Sequence, residues 1–173
     1  MQQLILGGMK SGKSRLAEQL AKNSGKQVIY VATSTANDEE MQARVEKHKQ
    51  YRPKSWLTIE EPVKLAETLK THAQEQNCIL VDCLTLWLTN LLTSENEVQL
   101  EKEINALLDV LPTLPGDIIF VSNETGLGII PLGELTRKFC DQAGLLHQHI
   151  AQQCDRVIFT VAGLPHVLKE SND

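Results

Sequence analysis

Along the chain, short unbroken apolar runs alternate with longer stretches in which apolar residues recur every three or four positions. The runs at residues 4–6, 28–32, 78–81, 118–121 and 157–161 are aliphatic or β-branched and lack polar alternation, the pattern of strands covered on both faces. Residues 56–59 are a weaker strand candidate. Between the runs, spacing predicts helices beginning near Lys13, Asp38, Glu61, Ser94 and Pro131, with Pro62 in a first turn where its missing N–H costs nothing. Strand alternating with helix predicts an α/β domain with a mostly parallel central sheet, and 173 residues suit one domain spanning residues 1–173. Residues 93–97 and 111–116 are expected as surface connections, and the chain from Gly163 onward as a frayed tail.

One junction carries specific chemistry. Gly7-Gly8-Met9-Lys10-Ser11-Gly12-Lys13-Ser14 follows the first strand and opens the first helix, and it satisfies GxxxxGK[ST]. Glycines let the backbone curl so that consecutive N–H groups converge on phosphate oxygens, and the helix N-terminus adds a favourable dipole. Lys13 reaches the β- and γ-phosphates and Ser14 ligates Mg²⁺. The expected fold is therefore a three-layer P-loop nucleoside-triphosphatase type. Asp82 closes the run 78–81, where a carboxylate at the tip of a neighbouring strand holds Mg²⁺ through water. An Asp there also starts loops, but the phosphate loop creates the need for the metal.

Composition narrows the partner. A net charge of -5 and few aromatic residues argue against nucleic-acid binding, since a polyanion would repel the surface and bases would find no stacking platform. The N-terminus lacks a basic segment and is not expected to be a signal peptide. The longest apolar stretch, residues 84–92, is broken by Thr85, Thr89 and Asn90 and is too short to cross a bilayer. Cys78, Cys83, Cys140 and Cys154 have no CxxC spacing, and His147 and His149 point to different faces of a helix, so no zinc site is expected. The cytoplasm is the expected compartment, and a small molecule the expected partner.

The predicted helix from Asp38 carries Met41, Val45 and His48 at helical spacing and ends at Pro53. Arg44, Lys47, Lys49 and Arg52 crowd His48 in an otherwise acidic chain, which makes this an anion site. A neutral imidazole attacks phosphorus well, and the cations offset the charge that repels the attack while lowering the histidine pKa. The residues alone leave two readings open: a nucleophile, or a structural or phosphate-binding histidine. Asn123 and Glu124 follow another strand and emerge on the same sheet edge as the phosphate loop. Gly126 and Gly128 are expected to permit φ > 0 and close approach to a substrate.

Together these residues resemble one family nearly end to end, the bifunctional adenosylcobinamide kinase/adenosylcobinamide-phosphate guanylyltransferases of cobalamin biosynthesis. The resemblance is carried by GGxxSGKS, by Tyr30-Val31-Ala32-Thr33-Ser34, and by Ala43 to Lys49 leading to Arg52-Pro53. It continues through Asn-Glu-x-Gly-x-Gly-Ile-x-Pro from Asn123 and a final helix with Arg137, Asp141, Gly144 and Gln148. It implies phosphorylation of a corrinoid side-chain hydroxyl by ATP or GTP, then transfer of GMP from GTP through a GMP-histidine. By position, it makes His48 the guanylylated nucleophile and gives Thr33, Ser34, Lys49, Arg52, Glu60 and Asp82 nucleotide or Mg²⁺ contacts, with Glu61 adjacent to Glu60. It also implies a homo-oligomer. Lys47 stands where some members have a second histidine, Asp82 where some have glutamate, and His147 where an asparagine is common. No NKxD signature is present, so guanine preference rests on the resemblance alone. Rival readings are a monofunctional small-molecule kinase and a nucleotide-dependent regulatory module.

Overall fold

The unbroken apolar runs form strands that bury both faces, as that pattern requires. In the computed structural model, which describes residues 1–35, 53, 55–94 and 96–171, they build one sheet. Its strands are β1 (Gln2–Gly7), β2 (Gln27–Ala32), β3 (Leu57–Glu60), β4 (Asn77–Asp82), β5 (Asp117–Asn123), β6 (Arg156–Val161) and β7 (Leu164–Glu170). The order is β3-β2-β4-β5-β1-β6-β7. Every pairing is parallel except that of β6 with β7.

Successive side chains alternate between two cores. Ile5, Val28, Tyr30, Leu80 and Ile119 pack against Ala17 and Ala21 of α1 (Lys13–Asn23). Leu4, Leu6, Ile29, Val31, Ile79, Val81, Ile118 and Phe120 face the opposite layer. That layer contains α2 (Leu65–His72), α3 (Leu84–Thr93), α4 (Glu97–Val110) and α5 (Glu134–Gln153). The small Ala17 and Ala21 let α1 approach the sheet closely, which sets the loop before it tightly over the strand ends.

Several expectations need correction. Residues 84–92, to which no element was assigned from sequence, form helix α3, with Leu84, Trp87, Leu88 and Leu91 buried at helical spacing. Trp87 is a core residue whose indole N–H donates to the Val63 carbonyl at 2.8 Å. The helix expected near Glu61 begins at Leu65, because the Glu61 carboxylate accepts the Val63 and Lys64 amides at 2.8 and 2.7 Å and holds Pro62 in a turn ahead of it. The helix expected near Ser94 begins at Glu97, where Asn96 caps it by accepting the Gln99 amide. The helix placed near Pro131 begins at Glu134. The segment from Gly163 is no frayed tail: it turns back as β7. The helix expected from Asp38 lies outside the described residues.

Candidate active site

The carboxyl ends of β1, β2, β4 and β5 meet at one edge of the sheet, where α/β proteins bind ligands. Between β1 and α1 the chain makes its tight loop with Gly7 at φ 153°, Lys10 at φ 53° and Gly12 at φ 100°. The Lys13 ammonium folds back to donate to the Gly8 carbonyl at 2.6 Å, inside the loop it serves.

The loop is braced from the side by the β6–β7 turn. The Gly163 amide donates to the Ser11 carbonyl at 2.9 Å, and a Cβ on Gly12 would sit 3.2 Å from the Gly163 Cα. A Cβ on Gly7 would lie 2.3 Å from the Thr160 carbonyl oxygen, so this position has no room for a side chain. Gly7→Ala is expected to cost about 3 kcal/mol from overpacking against backbone and to abolish nucleotide binding. A melting temperature equal to that of the unaltered protein would refute this close packing.

Met9, Lys10, Ser11, Gly12, Lys13, Ser14, Asp82, Cys83 and Asn123 line a common cavity of about 580 Å³. Residues from three strand ends thus converge as the sequence predicted. Gly8 borders the adjoining hollow together with Glu124. Burial lowers the Lys13 pKa, while Cys83 and Asp82 pull it back up. Burial also pushes the Cys83 thiol up to about 11, so it is uncharged near neutral pH and Asp82 is the effective counter-charge.

Thr33 is fully buried. Its hydroxyl donates to the Cys83 carbonyl at 2.6 Å and accepts the Cys83 amide at 2.9 Å. The side chain thereby clamps the end of β2 to the Asp82–Cys83 corner. Asn90 of α3 adds a bond from its amide to the Thr33 carbonyl at 2.7 Å. Ser34 is half-buried just beyond. Glu60 ends β3 level with Ala32, whereas the neighbouring Glu61 accepts the Val63 and Lys64 amides in the turn beyond, which separates two carboxylates that the sequence left adjacent. His48, Lys49 and Arg52, with Arg44 and Lys47, lie outside the described residues.

Asn123 and Glu124 are half-buried. The Glu124 amide donates to the Gly7 carbonyl at 2.9 Å, so the second loop is tied to the root of the first. The expected positive φ at Gly126 and Gly128 is not found. Gly126 instead serves by lacking a side chain, since a Cβ there would meet Glu124 Oε1 at 3.0 Å, and Gly128 faces open space. Sequence reasoning missed the supports of the site: Ser122, Thr85, His147 and the Gly163 turn. His147 was marked as a departure from a resemblance and as half of a pair unsuited to zinc, and no spacing signal joins residues on β5, α3 and α5.

A mostly parallel sheet, a glycine loop and lysine between β1 and α1, and a carboxylate at the tip of β4 define a P-loop nucleotide-binding protein. RadB recombinase has a similar structure (TM-score 0.54, 19% identity, 91% of this chain and 73% of that chain). So has a Pyrococcus horikoshii OT3 protein (TM-score 0.58, 11% identity, 99% and 87%). These likenesses concern the fold. Within this class the chain belongs to the cobinamide kinase / cobinamide phosphate guanyltransferase family, whose profile matches residues 3–168. It is 59% identical to the bifunctional adenosylcobalamin biosynthesis protein CobP of Pseudomonas aeruginosa over 169 residues, covering 98% of each chain. It is 36% identical to the bifunctional adenosylcobalamin biosynthesis protein CobU of Escherichia coli K12 over 174 residues, covering 93% of this chain and 96% of that one.

Proposed function

We propose that the protein phosphorylates the side-chain hydroxyl of adenosylcobinamide with a nucleoside triphosphate and then transfers GMP from GTP to the new phosphate. One observation carries this reading: a single phosphate cradle shares its cavity with Asp82 and Asn123, in a chain that matches the kinase/guanyltransferase family over residues 3–168. The amides from Gly8 to Ser14 and the Lys13 ammonium hold the β- and γ-phosphates and stabilise charge that builds on them.

Ser14 and Asp82 both line the cavity and offer the hard oxygen donors that Mg²⁺ takes. Among the described residues no group of three or more His, Cys, Asp or Glu could hold a metal. This donor set suits an ion that draws its other ligands from phosphate and water. Such an ion would supply charge neutralisation at the β- and γ-oxygens.

In the second reaction the His48 imidazole nitrogen attacks the α-phosphorus of GTP, forming an N–P bond as pyrophosphate leaves. An oxygen of the corrinoid phosphate then attacks the same phosphorus, and the N–P bond breaks to restore the histidine. Lys49 and Arg52 neutralise the phosphates during both displacements, and Ser34 and Glu60 border the nucleotide from the β2 and β3 ends; Thr33, for which the resemblance implied a nucleotide contact, is buried with its hydroxyl bonded to Cys83 and instead holds that corner in place. The thiols Cys78, Cys83, Cys140 and Cys154 are free, consistent with a reducing cytoplasm, to which we assign the protein. No described helix is long and apolar enough to cross a membrane. A homo-oligomer is the assembly we assign, and it would cover Leu127, Ile129, Ile130 and Leu132, all at least 77% exposed.

Purified protein given adenosylcobinamide, ATP, GTP and Mg²⁺ is expected to yield adenosylcobinamide-GDP and pyrophosphate, read by mass spectrometry. Accumulation of the phosphate alone, with no pyrophosphate released, would reduce the protein to a monofunctional kinase.

A further inference from the structure

His147 takes no part in the scheme above, although it is a buried titratable group beside the site. It lies on α5, 7% exposed, facing the carboxyl end of β5. Its Nε2 is 2.7 Å from Ser122 Oγ, which is 3.3 Å from Thr85 Oγ1 on α3. Thr85 Oγ1 accepts the Asn123 amide at 2.7 Å. On the other side of the ring, Nδ1 lies 3.9 Å from Glu124 Oε2, and the second carboxylate oxygen accepts the Gly126 amide at 2.5 Å.

The Thr85 and Ser122 hydroxyls can each donate or accept along this chain, and the His147 tautomer follows from which way the Ser122 proton points. With the Ser122 hydroxyl donating, His147 Nε2 is the acceptor. A neutral imidazole that accepts at Nε2 carries its hydrogen on Nδ1, and Nδ1 faces Glu124. Burial holds the His147 pKa below its ordinary value, with the Glu124 carboxylate pulling it partly back, which agrees with a neutral ring. In that tautomer Nδ1–H points to the carboxylate across 3.9 Å, an electrostatic contact longer than a direct hydrogen bond. Glu124 in turn borders the hollow formed by Gly8, Met9, Lys10 and Ser11 on the flank of the phosphate loop.

We infer that His147 is a positioning residue of the kinase step: its Nδ1–H orients the Glu124 carboxylate to accept a hydrogen bond from the acceptor hydroxyl. The inference rests on the proposed corrinoid reaction. It separates the two half-reactions, because the acceptor of the first is a hydroxyl that a carboxylate can bind. The acceptor of the second is a phosphate dianion, which a carboxylate repels.

The test compares His147→Leu, His147→Asn, His147→Gln, Glu124→Gln and the His147→Leu/Glu124→Gln double variant in the full chain. Readouts are kinase kcat and KM for adenosylcobinamide, guanylyl transfer to adenosylcobinamide phosphate, and melting temperature. An asparagine amide reaches the Nδ1 position and a glutamine amide the Nε2 position. His147→Asn is therefore expected to retain most kinase kcat, while His147→Leu and His147→Gln lose it about tenfold or more by misorienting a reacting group. Guanylyl transfer stays within about twofold, and the double variant is no worse than Glu124→Gln, as residues acting through one another require. A merely structural histidine gives the opposite order, because glutamine preserves the hydrogen bond to Ser122. Equal loss of both activities, additive losses in the double variant, or no kinase loss overturns the inference. If His147→Leu does not fold, the asparagine and glutamine variants decide between the two orders. Absence of adenosylcobinamide turnover by the unaltered protein overturns the proposed function and this inference together. Turnover with glutamine equal to or better than asparagine overturns the inference alone.

Discussion

In His48→Asn, α-labelled GTP is expected to leave no label on the protein, while phosphorylation of adenosylcobinamide continues. The unaltered protein should form an adduct that is labile in acid and stable in base, as a phosphoramidate is. The asymmetry follows from the chemistry of the two steps. Guanylyl transfer is split into two displacements by a covalent nitrogen nucleophile, and asparagine supplies no lone pair of that kind. Phosphoryl transfer needs a positioned acceptor, a phosphate cradle and charge neutralisation, but no covalent histidine. The expected effect on guanylyl transfer is loss to background. An adduct that survives in His48→Asn would move the nucleophile elsewhere, and equal loss of both activities would make His48 part of nucleotide binding in general.

Lys13→Ala is expected to lower both activities by about 10²–10³-fold, the usual result of removing one preorganised donor from developing charge. Lys13 is 6% exposed, and its ammonium bonds the Gly8 carbonyl within the loop. Exchanging that carbonyl for phosphate oxygens keeps the charge solvated by fixed groups throughout the reaction. The change should leave the melting temperature nearly unaltered, because burial already disfavours the charged amine. The decisive comparison is between the two reactions. Loss of only one would mean that the kinase and guanylyl steps use separate phosphate sites, and the single-cradle account would fail.

Much of the fold was legible because its strands are buried on both faces. Runs such as residues 78–81 have no polar interruption, and such a run bounded by polar residues reads as a strand in isolation. Residues 84–92 were left without an element for a related reason: the apolar helix α3 follows Asp82 with almost no punctuation, so its helical period is hidden in a nearly continuous apolar stretch. β7 was invisible because its side chains are mostly exposed and its stability comes from pairing with β6 rather than from an apolar pattern.

The phosphate cradle was legible because it is local. Eight consecutive residues create its geometry, and the motif states which of them must lack a Cβ. The supports of the cradle were not legible, because they are contacts between distant segments. Thr33 meets Cys83, Ser122 meets His147, and Ser11 meets Gly163. Their residue types are common, and only the fold brings them together. Glu60 and Glu61 show the same limit: the two are chemically alike, and the bonds that tie Glu61 to the Val63 and Lys64 amides appear only in the fold.

The brace between Ser11 and Gly163 bears on how the protein is made. β1 is laid between β5 and β6, pairing Gln2 with Ile118 and Gln3 with Arg156. The ribosome therefore delivers the phosphate motif well before the strands that hold it. A nascent chain halted before β6 contains every motif residue yet lacks the turn that props the loop. A chain that stops before Arg156 is therefore expected to bind nucleotide far more weakly than the full chain, which titration of the two with labelled GTP would show.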